Sequence, residues 1–317
     1  MSRLTHVTSG PYAPPVAARE LTAVSADGAR LHVEVHGPVD DPAAPAVVLV
    51  HGWVCSTAFW AAQIRELARE HRVIAYDQRG HGRSPASFRP GGYDVATLVE
   101  DLEAVLAATL APGEKAVLVG HSMGGMTLMA AAGSPKAEEH TAAVLLCSTG
   151  MVRLPERATV APARAGRLRT RLHRALLHSK APLGPVTPIA RAVLKYATMG
   201  PGSSREKVEA CARIVHACPR AVRQAWGRVL ATLDVEANLA RLTAPTTVLV
   251  GAADKFTPPV GARAIVAALP DCAEFTELAG LGHMTPVEAP DLVNTRIRQL
   301  AAAHAVASAR TEVKEGA

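Results

Sequence analysis

The sequence predicts an α/β fold with a mostly parallel, twisted sheet flanked by helices. Short apolar runs rich in β-branched residues alternate with stretches of helical spacing from about residue 20 to residue 150. The alternation stops there and resumes near residue 245. Continuous apolar runs are typical of strands covered on both faces, and repeated strand–helix alternation is typical of parallel sheets with right-handed crossovers. At 317 residues, the chain is long enough to build one such core.

The first part of the alternation begins with a hairpin. Two β-branched runs flank the turn Ala26-Asp27-Gly28, which is a hairpin signal. Four continuous apolar runs follow, with helical stretches between them. The predicted strands are Leu21–Val24, Leu31–His36, Ala46–Val50, Val73–Tyr76, Ala116–Val119 and Ala143–Cys147, and the predicted helices are Thr57–Glu70, Val95–Thr109 and Met123–Gly133.

Residues 151–240 interrupt the sheet pattern with an Arg- and Ala-rich sequence of helical composition that several prolines break. The alternation then resumes with strands Thr246–Val250 and Ala273–Leu278 and helices Val260–Leu269 and Pro290–Ala305. We therefore expect a core of residues 19–150 and 241–305. A helical cap of residues 151–240 is inserted before the last strands and covers their carboxyl edge. Residues 1–18 and 306–317 are expected to be poorly ordered tails.

The predicted cap is strongly basic. Sixteen Lys and Arg against three Glu between residues 151 and 230 give this stretch +13, whereas the whole chain carries +6 and the remainder −7. Such asymmetry has three interpretations: solvated charge from an Arg-rich composition, an entrance for anionic substrates such as carrier-bound acyl thioesters or phospholipids, or docking to an acidic partner or an anionic membrane surface. Nucleic acid is not an expected partner, because the cap has few aromatics and no recognisable binding module.

The overall composition argues against membrane-spanning and disulfide-rich classes. Hydrophobic residues make up 49% and charged residues 20% of the chain, and no apolar stretch approaches the roughly 20 residues that span a bilayer. The first residues lack the apolar core of a signal peptide, so we expect a cytoplasmic location. The five cysteines are scattered without a CxxC pair, and no cluster has metal-ligand spacing, so neither disulfides, a metal nor a cofactor is expected.

The strongest motif is Gly120-His121-Ser122-Met123-Gly124, between a strand-like run and a helical one. A nucleophile on a sharp strand-to-helix turn projects clear of the sheet, and the strained turn needs small neighbours two residues away on each side. Gly120 and Gly124 meet that requirement. The following helix directs its N-terminal N–H groups and dipole toward developing negative charge. The motif therefore predicts Ser122 as a nucleophile.

A serine nucleophile needs a base, and the base needs an acid to orient it. His283 follows a strand-like run in a Gly-His-Met loop at the same edge, so it is the predicted base. Asp254 follows the run TVLV and is the predicted acid, with Asp234 as the alternative. His121 neighbours Ser122, but adjacent side chains on a sharp turn point apart, which favours packing beside the nucleophile.

Five motifs in this order make the chain resemble the α/β-hydrolase superfamily over about residues 20–305. The motifs are HGW at 51–53, DQRGHGRS at 77–84, GHSMGG at 120–125, GAADKFTPP at 251–259 and GHMTPVEAP at 282–290. The resemblance implies an α/β-hydrolase fold and an oxyanion hole formed by the backbone N–H groups of Trp53 and Met123. We also expect the DQRGHGRS loop to be structural, with Asp77 and Arg79 in an internal ion pair and with His51 and His81 bracing the backbone. The residues expected near the substrate pocket are His51, His121, Cys147 and Met284.

The resemblance implies a carboxylic ester hydrolase of the esterase, lipase or thioesterase type that forms an acyl-enzyme. Its expected substrate is a small acyl compound, either anionic or carrier-bound. A serine nucleophile separates the chain from the similar epoxide hydrolases and dehalogenases, which use an aspartate. Perhydrolysis, as in cofactor-free haloperoxidases, C–C bond hydrolysis or a tailoring step of secondary metabolism would use the same three residues. A non-catalytic ligand-binding protein of this fold is a further alternative, and the sequence predicts no oligomeric state.

Overall fold

The computed structural model describes residues 9–41, 43–87, 89 and 91–305, which contain an eight-stranded sheet in the order β1-β2-β4-β3-β5-β6-β7-β8. The pairs β1–β2 and β2–β4 are antiparallel, and the other five pairs are parallel. This topology confirms the predicted α/β fold with its opening hairpin. The strands are β1 Arg19–Val24, β2 Arg30–His36, β3 Ala46–Val50, β4 Arg72–Tyr76, β5 Ala116–His121, β6 Thr141–Cys147, β7 Thr246–Gly251 and β8 Cys272–Leu278.

Helices cover both faces of the sheet. Seven of them follow or precede the strands: α1 Ala61–Leu67, α2 Val95–Thr109, α3 Met123–Ala130, α4 Pro135–Glu139, α10 Pro259–Ala268, α11 Thr285–Glu288 and α12 Pro290–Leu300. The five between β6 and β7 are α5 Leu154–Arg157, α6 Arg167–Leu177, α7 Pro188–Thr198, α8 Arg205–Ala217 and α9 Arg220–Thr232. Short 3₁₀ turns span Thr57–Trp60 and Glu236–Arg241, and a π-helical turn spans Ala301–Ala305.

Two buried clusters explain why the central strands are apolar without interruption. Successive side chains of a strand point to opposite faces of the sheet. In β3, Val48 and Val50 enter the cluster that includes Leu102 of α2, whereas Val47 and Leu49 enter the cluster on the other face. A strand buried on both faces therefore needs an apolar residue at every position, which is the pattern that predicted it.

Two prolines of residues 151–240, hereafter the basic segment, mark helix starts. Pro188 is the first residue of α7, and the Thr187 hydroxyl caps that helix by accepting the N–H of Ala190 at 3.1 Å. Pro219 immediately precedes α9. Proline suits a first helical turn because its missing N–H would have no helical partner there. These residues therefore divide the segment into separate helices.

Part of the expected N-terminal tail contacts the core. Residues 1–8 and 306–317 of the two expected tails lie outside the described residues. In the rest of the expected N-terminal tail, Tyr12 is buried, and its hydroxyl donates to the carbonyl of Val287 at 3.3 Å. The Arg65 guanidinium also donates to the carbonyl of Ala13 at 2.8 Å. Side-chain contacts therefore join this stretch to α11 and α1.

The expected ion pair between Asp77 and Arg79 is wrong. Arg79 is only 1% exposed, and its guanidinium pairs with Asp101 of α2 at 2.6 Å and with Asp27 of the β1–β2 turn at 2.5 Å. Asp77 instead accepts the backbone N–H groups of Thr57 at 2.7 Å and Arg83 at 2.8 Å. The two side chains separate because Asp77 satisfies the free amides of two turns, while the longer Arg79 reaches acids from distant elements.

Removal of the Arg79 charge should strongly destabilise the fold. Replacing Arg79 with Met leaves the buried carboxylate of Asp101 without its partner, and breaking a buried pair in this way costs about 3–5 kcal/mol. Arg263 forms an exposed pair with Glu277, so Arg263→Met is the matched control, with a much smaller expected loss. Urea unfolding measures both free energies. Equal losses in the two variants would contradict a central structural role for Arg79.

Candidate active site

Ser122 occupies the sharp turn between β5 and α3. Its backbone lies at φ 51° and ψ −116°, a strained conformation for a residue with a side chain, and its N–H donates to the carbonyl of Cys147 at 3.0 Å. A Cβ atom on Gly124 would clash with the carbonyl oxygen of Val50, and one on Gly120 would lie 2.6 Å from the amide nitrogen of Gly125. The strand–turn–helix geometry expected at Ser122 is therefore present, and the glycines allow the close packing.

Asp254 and His283 meet beside this turn. Oδ2 of Asp254 lies 2.9 Å from Nδ1 of His283, and both residues are buried, at 3% and 6% exposure. The carboxylate also accepts the N–H groups of Phe256 at 2.8 Å and Thr257 at 2.9 Å, and the Thr257 hydroxyl at 2.8 Å. Asp234, the alternative acid, is exposed and accepts the backbone N–H of Glu236. The structure thus brings Asp254 to His283.

His121 joins the serine turn to the histidine loop. Its Nε2 lies 2.9 Å from the carbonyl oxygen of His283, so this nitrogen carries the hydrogen. The ring stacks on Phe59 at 4.5 Å between centroids, and burial holds its pKa well below the usual value, which keeps it neutral. His121 therefore packs beside Ser122. The Ser122 hydroxyl itself makes no hydrogen bond to any residue that the structure describes.

The expected oxyanion donors lie on two turns next to Ser122. A Cβ atom on Gly52 would lie 3.1 Å from Cβ of Ser122, so the loop after β3 passes directly against the serine. Within the described residues, the backbone N–H groups of Trp53 and Met123 donate to no acceptor. The Trp53 indole N–H is used separately, since it donates to the carbonyl of Arg223 in α9 at 3.0 Å. The role of the two backbone amides as oxyanion donors stays a prediction.

The other residues expected at the pocket are buried around this turn. His51 Nε2 accepts the N–H of Gln78 at 2.9 Å, and His81 Nε2 accepts the N–H of Val54 at 3.2 Å, so both histidines brace backbone as expected. Burial lowers the pKa of both rings, that of His81 to about 4. Cys147 and Met284 are also buried. Contact of His51, His121, Cys147 and Met284 with a substrate stays a prediction.

Sequence reasoning missed Val54, which lies at φ 59° in the turn after β3. A β-branched residue in the left-handed region is a strained outlier, and such strain clusters at functional sites. Val54 lies in a tight turn with Trp53, closed by the N–H of Cys55 that donates to the carbonyl of Gly52 at 3.2 Å. A positive φ at valine has no signal in a single sequence, because propensity would assign the residue to a strand.

Glu288 is a second residue that sequence reasoning missed. Its buried Oε1 accepts the N–H groups of Gly282 at 3.0 Å and Met284 at 3.1 Å, which flank His283 on both sides. Its Oε2 accepts the N–H of Gly200 at 2.6 Å and the hydroxyl of Ser203 at 2.7 Å, both in the basic segment. One carboxylate therefore holds the histidine loop and ties it to residues 200–203. The signal that the sequence offered for this role was an acidic residue five positions after His283.

Replacement of Glu288 by Gln should misplace His283. The glutamine amide has one oxygen and one NH₂ group, and the NH₂ group cannot accept a hydrogen bond. At least two of the four donors would therefore face another donor. A buried donor left unsatisfied costs about 1–3 kcal/mol. We expect kcat to fall about tenfold or more at temperatures where the variant stays folded. Glu206→Gln, an exposed acid of α8, is the control. A lower melting temperature with unchanged kcat would show that Glu288 supports only stability.

Access to the three residues is restricted. Ser122 is 9% exposed, and the cavity beside Thr257, lined by Met126, Leu233 and Phe256, measures only about 20 Å³. Pockets that hold drug-sized ligands measure about 300–1,000 Å³. This cavity is therefore too small to hold a substrate of that size.

One cluster of potential metal ligands exists elsewhere. Glu20, His32 and Glu34 bring their ligand atoms within 4.8 Å of one another. The Arg83 guanidinium contacts Glu34 and pairs with Glu20 at 2.8 Å, so a cation already balances these carboxylates. The expected absence of a metal and a cofactor stays a prediction. Across the ranges that the structure describes, no helix has both the length and the apolar character to cross a membrane.

Comparison with known proteins supports the fold described above. Residues 47–296 match the alpha/beta hydrolase family. The chain is 31% identical over 282 residues to RutD of Caulobacter vibrioides, whose name describes a carbamate hydrolase, and the match covers 87% of this chain and 96% of RutD. A segment of 97 residues is 48% identical to RutD of Variovorax paradoxus but covers only 30% of this chain and 34% of that protein.

A solved structure is similar to this chain over most of the length of both. A thermophilic esterase from Thermogutta terrifontis has a TM-score of 0.68 and 25% identity, with 89% of this chain and 97% of the esterase covered. These relatives support hydrolysis as the type of reaction. Because the family match spans most of the sequence and RutD of Caulobacter vibrioides aligns over nearly its whole length, the chain belongs to the α/β-hydrolase family.

Proposed function

We propose that the protein hydrolyses a carboxylic ester or thioester through an acyl-enzyme intermediate. The 2.9 Å contact between Asp254 and His283, beside the strained turn of Ser122, carries the proposal. Because Nδ1 of His283 faces the carboxylate, the imidazole keeps Nε2 as its acceptor for the serine proton. An aspartate at this position fixes the tautomer and stabilises the imidazolium that forms during reaction.

The reaction proceeds in two similar halves. Ser122 Oγ attacks the substrate carbonyl carbon while His283 takes its proton, and the tetrahedral intermediate expels an alcohol or thiol that receives this proton. A water molecule, activated by His283, then attacks the acyl-enzyme and releases the acid and the free serine. In each half the open N–H groups of Trp53 and Met123 bind the oxyanion, which is commonly the largest contribution to lowering such barriers.

Carbamate hydrolysis is a second candidate, favoured by the match to RutD over most of both chains. A carbamate carbonyl carries nitrogen on one side, so attack by Ser122 would follow the same course with a different leaving group. Ester and carbamate substrates require binding space of different shape and polarity above Ser122. They also differ in reactivity, because nitrogen donates electron density and makes the carbonyl carbon a poorer electrophile.

A substrate panel distinguishes the candidates. p-Nitrophenyl esters of graded chain length, acyl-CoA thioesters and p-nitrophenyl carbamates would be assayed at matched concentrations, with Ser122→Ala as the blank for non-enzymatic hydrolysis. We expect turnover of esters or thioesters with a clear preference for one chain length. Turnover of carbamates alone would favour the second candidate. A protein that neither hydrolyses any substrate nor reacts with a fluorophosphonate probe would contradict both.

A further inference from the structure

The outer faces of two helices in the basic segment expose large apolar side chains. Within the described residues, ten large hydrophobic side chains are exposed, and seven of them fall between residues 168 and 196 with exposed fractions of 43–77%. A helix on the surface of a protein normally turns its apolar stripe inward and its polar residues outward. Concentrated exposed apolar side chains mark an interaction site. The seven are Leu168, Leu172, Leu176, Leu183, Ile189, Val193 and Tyr196.

In α6 the exposed leucines form a stripe beside the face that packs. Leu168, Leu172 and Leu176 are spaced four residues apart, so at about 100° per residue they fall on one side of the helix. The buried residues His173 and Leu177 lie on the neighbouring side, where Nδ1 of His173 is 2.8 Å from the carbonyl of Pro155. The leucine stripe is thus an exposed apolar face of α6 that borders the packing face at Leu176, which lines a small cavity together with His173 and Leu177.

Helix α7 repeats this arrangement. Ile189, Val193 and Tyr196 share one side of the helix, while Leu194 and Thr198 on the other side pack toward the interior. The two exposed stripes are therefore not isolated residues but two apolar faces of similar length. We call these six exposed residues of α6 and α7 the outer face.

The charges beside the outer face are positive and mostly free. Arg167, Arg169 and Arg171 flank the leucines of α6, and no carboxylate among the described residues pairs with any of the three. Helix α6 contains no acidic residue. Exposed leucines interleaved with unpaired arginines would complement a partner that has an anionic surface and an apolar layer beneath it. The same arrangement disfavours a second copy of the chain, since like charges would meet.

The outer face ends close to the candidate active site. Leu176 and Phe256 line one small cavity, and Phe256 lies two residues after Asp254 with its ring 5.4 Å from that of His283. Near the end of α7, the Lys255 ammonium lies 3.5 Å from the centre of the Tyr196 ring. The carboxyl-terminal ends of both helices therefore reach the turn that carries Lys255 and Phe256.

We propose that the outer face docks the protein on an anionic lipid bilayer. The leucines and Ile189 would enter the boundary between headgroups and acyl chains, and the free arginines would bind lipid phosphates. Amphipathic surfaces bind membranes by this combination of buried apolar area and attraction to anionic lipid. The proposal extends beyond the proposed reaction and does not depend on it, because the docking residues are separate from Ser122.

Vesicle flotation tests the proposal, with Ser122→Ala protein so that lipid hydrolysis cannot interfere. Phosphatidylcholine vesicles would be compared with vesicles that also contain phosphatidylglycerol. We expect flotation only with the anionic vesicles and a decrease at high salt. The triple change Arg167→Gln, Arg169→Gln and Arg171→Gln should weaken vesicle affinity about a hundredfold, since each cation near the surface contributes about fivefold.

A second variant tests the apolar part of the outer face. Leu168→Gln with Leu172→Gln should weaken binding at least about tenfold, whereas Val24→Gln with Val260→Gln, two exposed valines elsewhere, should not. Circular dichroism checks that each variant is folded, and light scattering measures its oligomeric state. The proposal is overturned if the protein does not float, or if the leucine variant floats like the parent. It is also overturned if the leucine variant converts a dimer into monomers, because a second copy would then cover the face.

Discussion

Replacement of Ser122 by alanine is expected to lower kcat for ester hydrolysis at least about a thousandfold, because loss of the nucleophile leaves only binding and oxyanion stabilisation. Reaction with a fluorophosphonate should disappear as well, since the probe requires an activated serine. Intact-protein mass measures the labelling directly, and initial rates on the preferred ester measure kcat. The altered side chain is small and lies at 9% exposure, so the fold should tolerate the change.

Ser134→Ala is a suitable control because this serine lies before α4 and bonds to Glu103, away from the candidate site. It should keep the parent rate and the probe adduct. A Ser122→Ala protein that retains a tenth of the parent activity would contradict the assignment of Ser122 as the nucleophile. Retention of the adduct would show that the probe reacts with another residue.

Replacement of Asp254 by asparagine should have the next largest effect. The amide can present an N–H toward Nδ1 of His283 and thereby favour the tautomer that carries its hydrogen on Nε2, which cannot accept the serine proton. A comparable change in a serine protease triad lowers kcat about ten-thousandfold. We expect a loss of about a thousandfold or more, measured as kcat on the same ester, with little change in KM.

Asp234→Asn provides the matched comparison, because Asp234 is exposed and its carboxylate accepts a local backbone N–H. Its expected effect on kcat is less than about twofold, since surface substitutions rarely change more than about 0.5 kcal/mol. The reverse order of effects would mean that the acid comes from the earlier position. Circular dichroism of both variants separates lost activity from lost structure.

The fold was predictable because the central strands of the sheet are covered on both faces. All eight predicted strands are present, and in the central ones positions such as Val47 and Val48 must be apolar whichever face they serve. The turn at Ser122 was also predictable, because two glycines at fixed spacing reflect clashes that any side chain would cause there. Local sequence carries both signals, so no knowledge of distant contacts was needed.

Contacts between distant segments were not predictable. Arg79 pairs with Asp27 and Asp101, which lie 52 and 22 residues away, while the nearby Asp77 serves backbone groups. Glu288 binds Gly200, 88 residues before it in the chain. The sequence also showed the positive charge of the basic segment without showing which apolar residues of α6 and α7 face outward. That choice depends on which side of each helix packs against α5, α8 and α9.

The Glu288 carboxylate joins the basic segment to the loop that carries His283. Movement of Gly200 and Ser203 away from the core would remove two of its four donors and leave Oε2 without partners in a buried position. The free energy of that movement is therefore shared with the loop that carries His283. By thermodynamic reciprocity, any ligand that holds Gly200 and Ser203 against Glu288 must order this loop by the same coupling free energy. Substrate affinity and histidine alignment would then vary together.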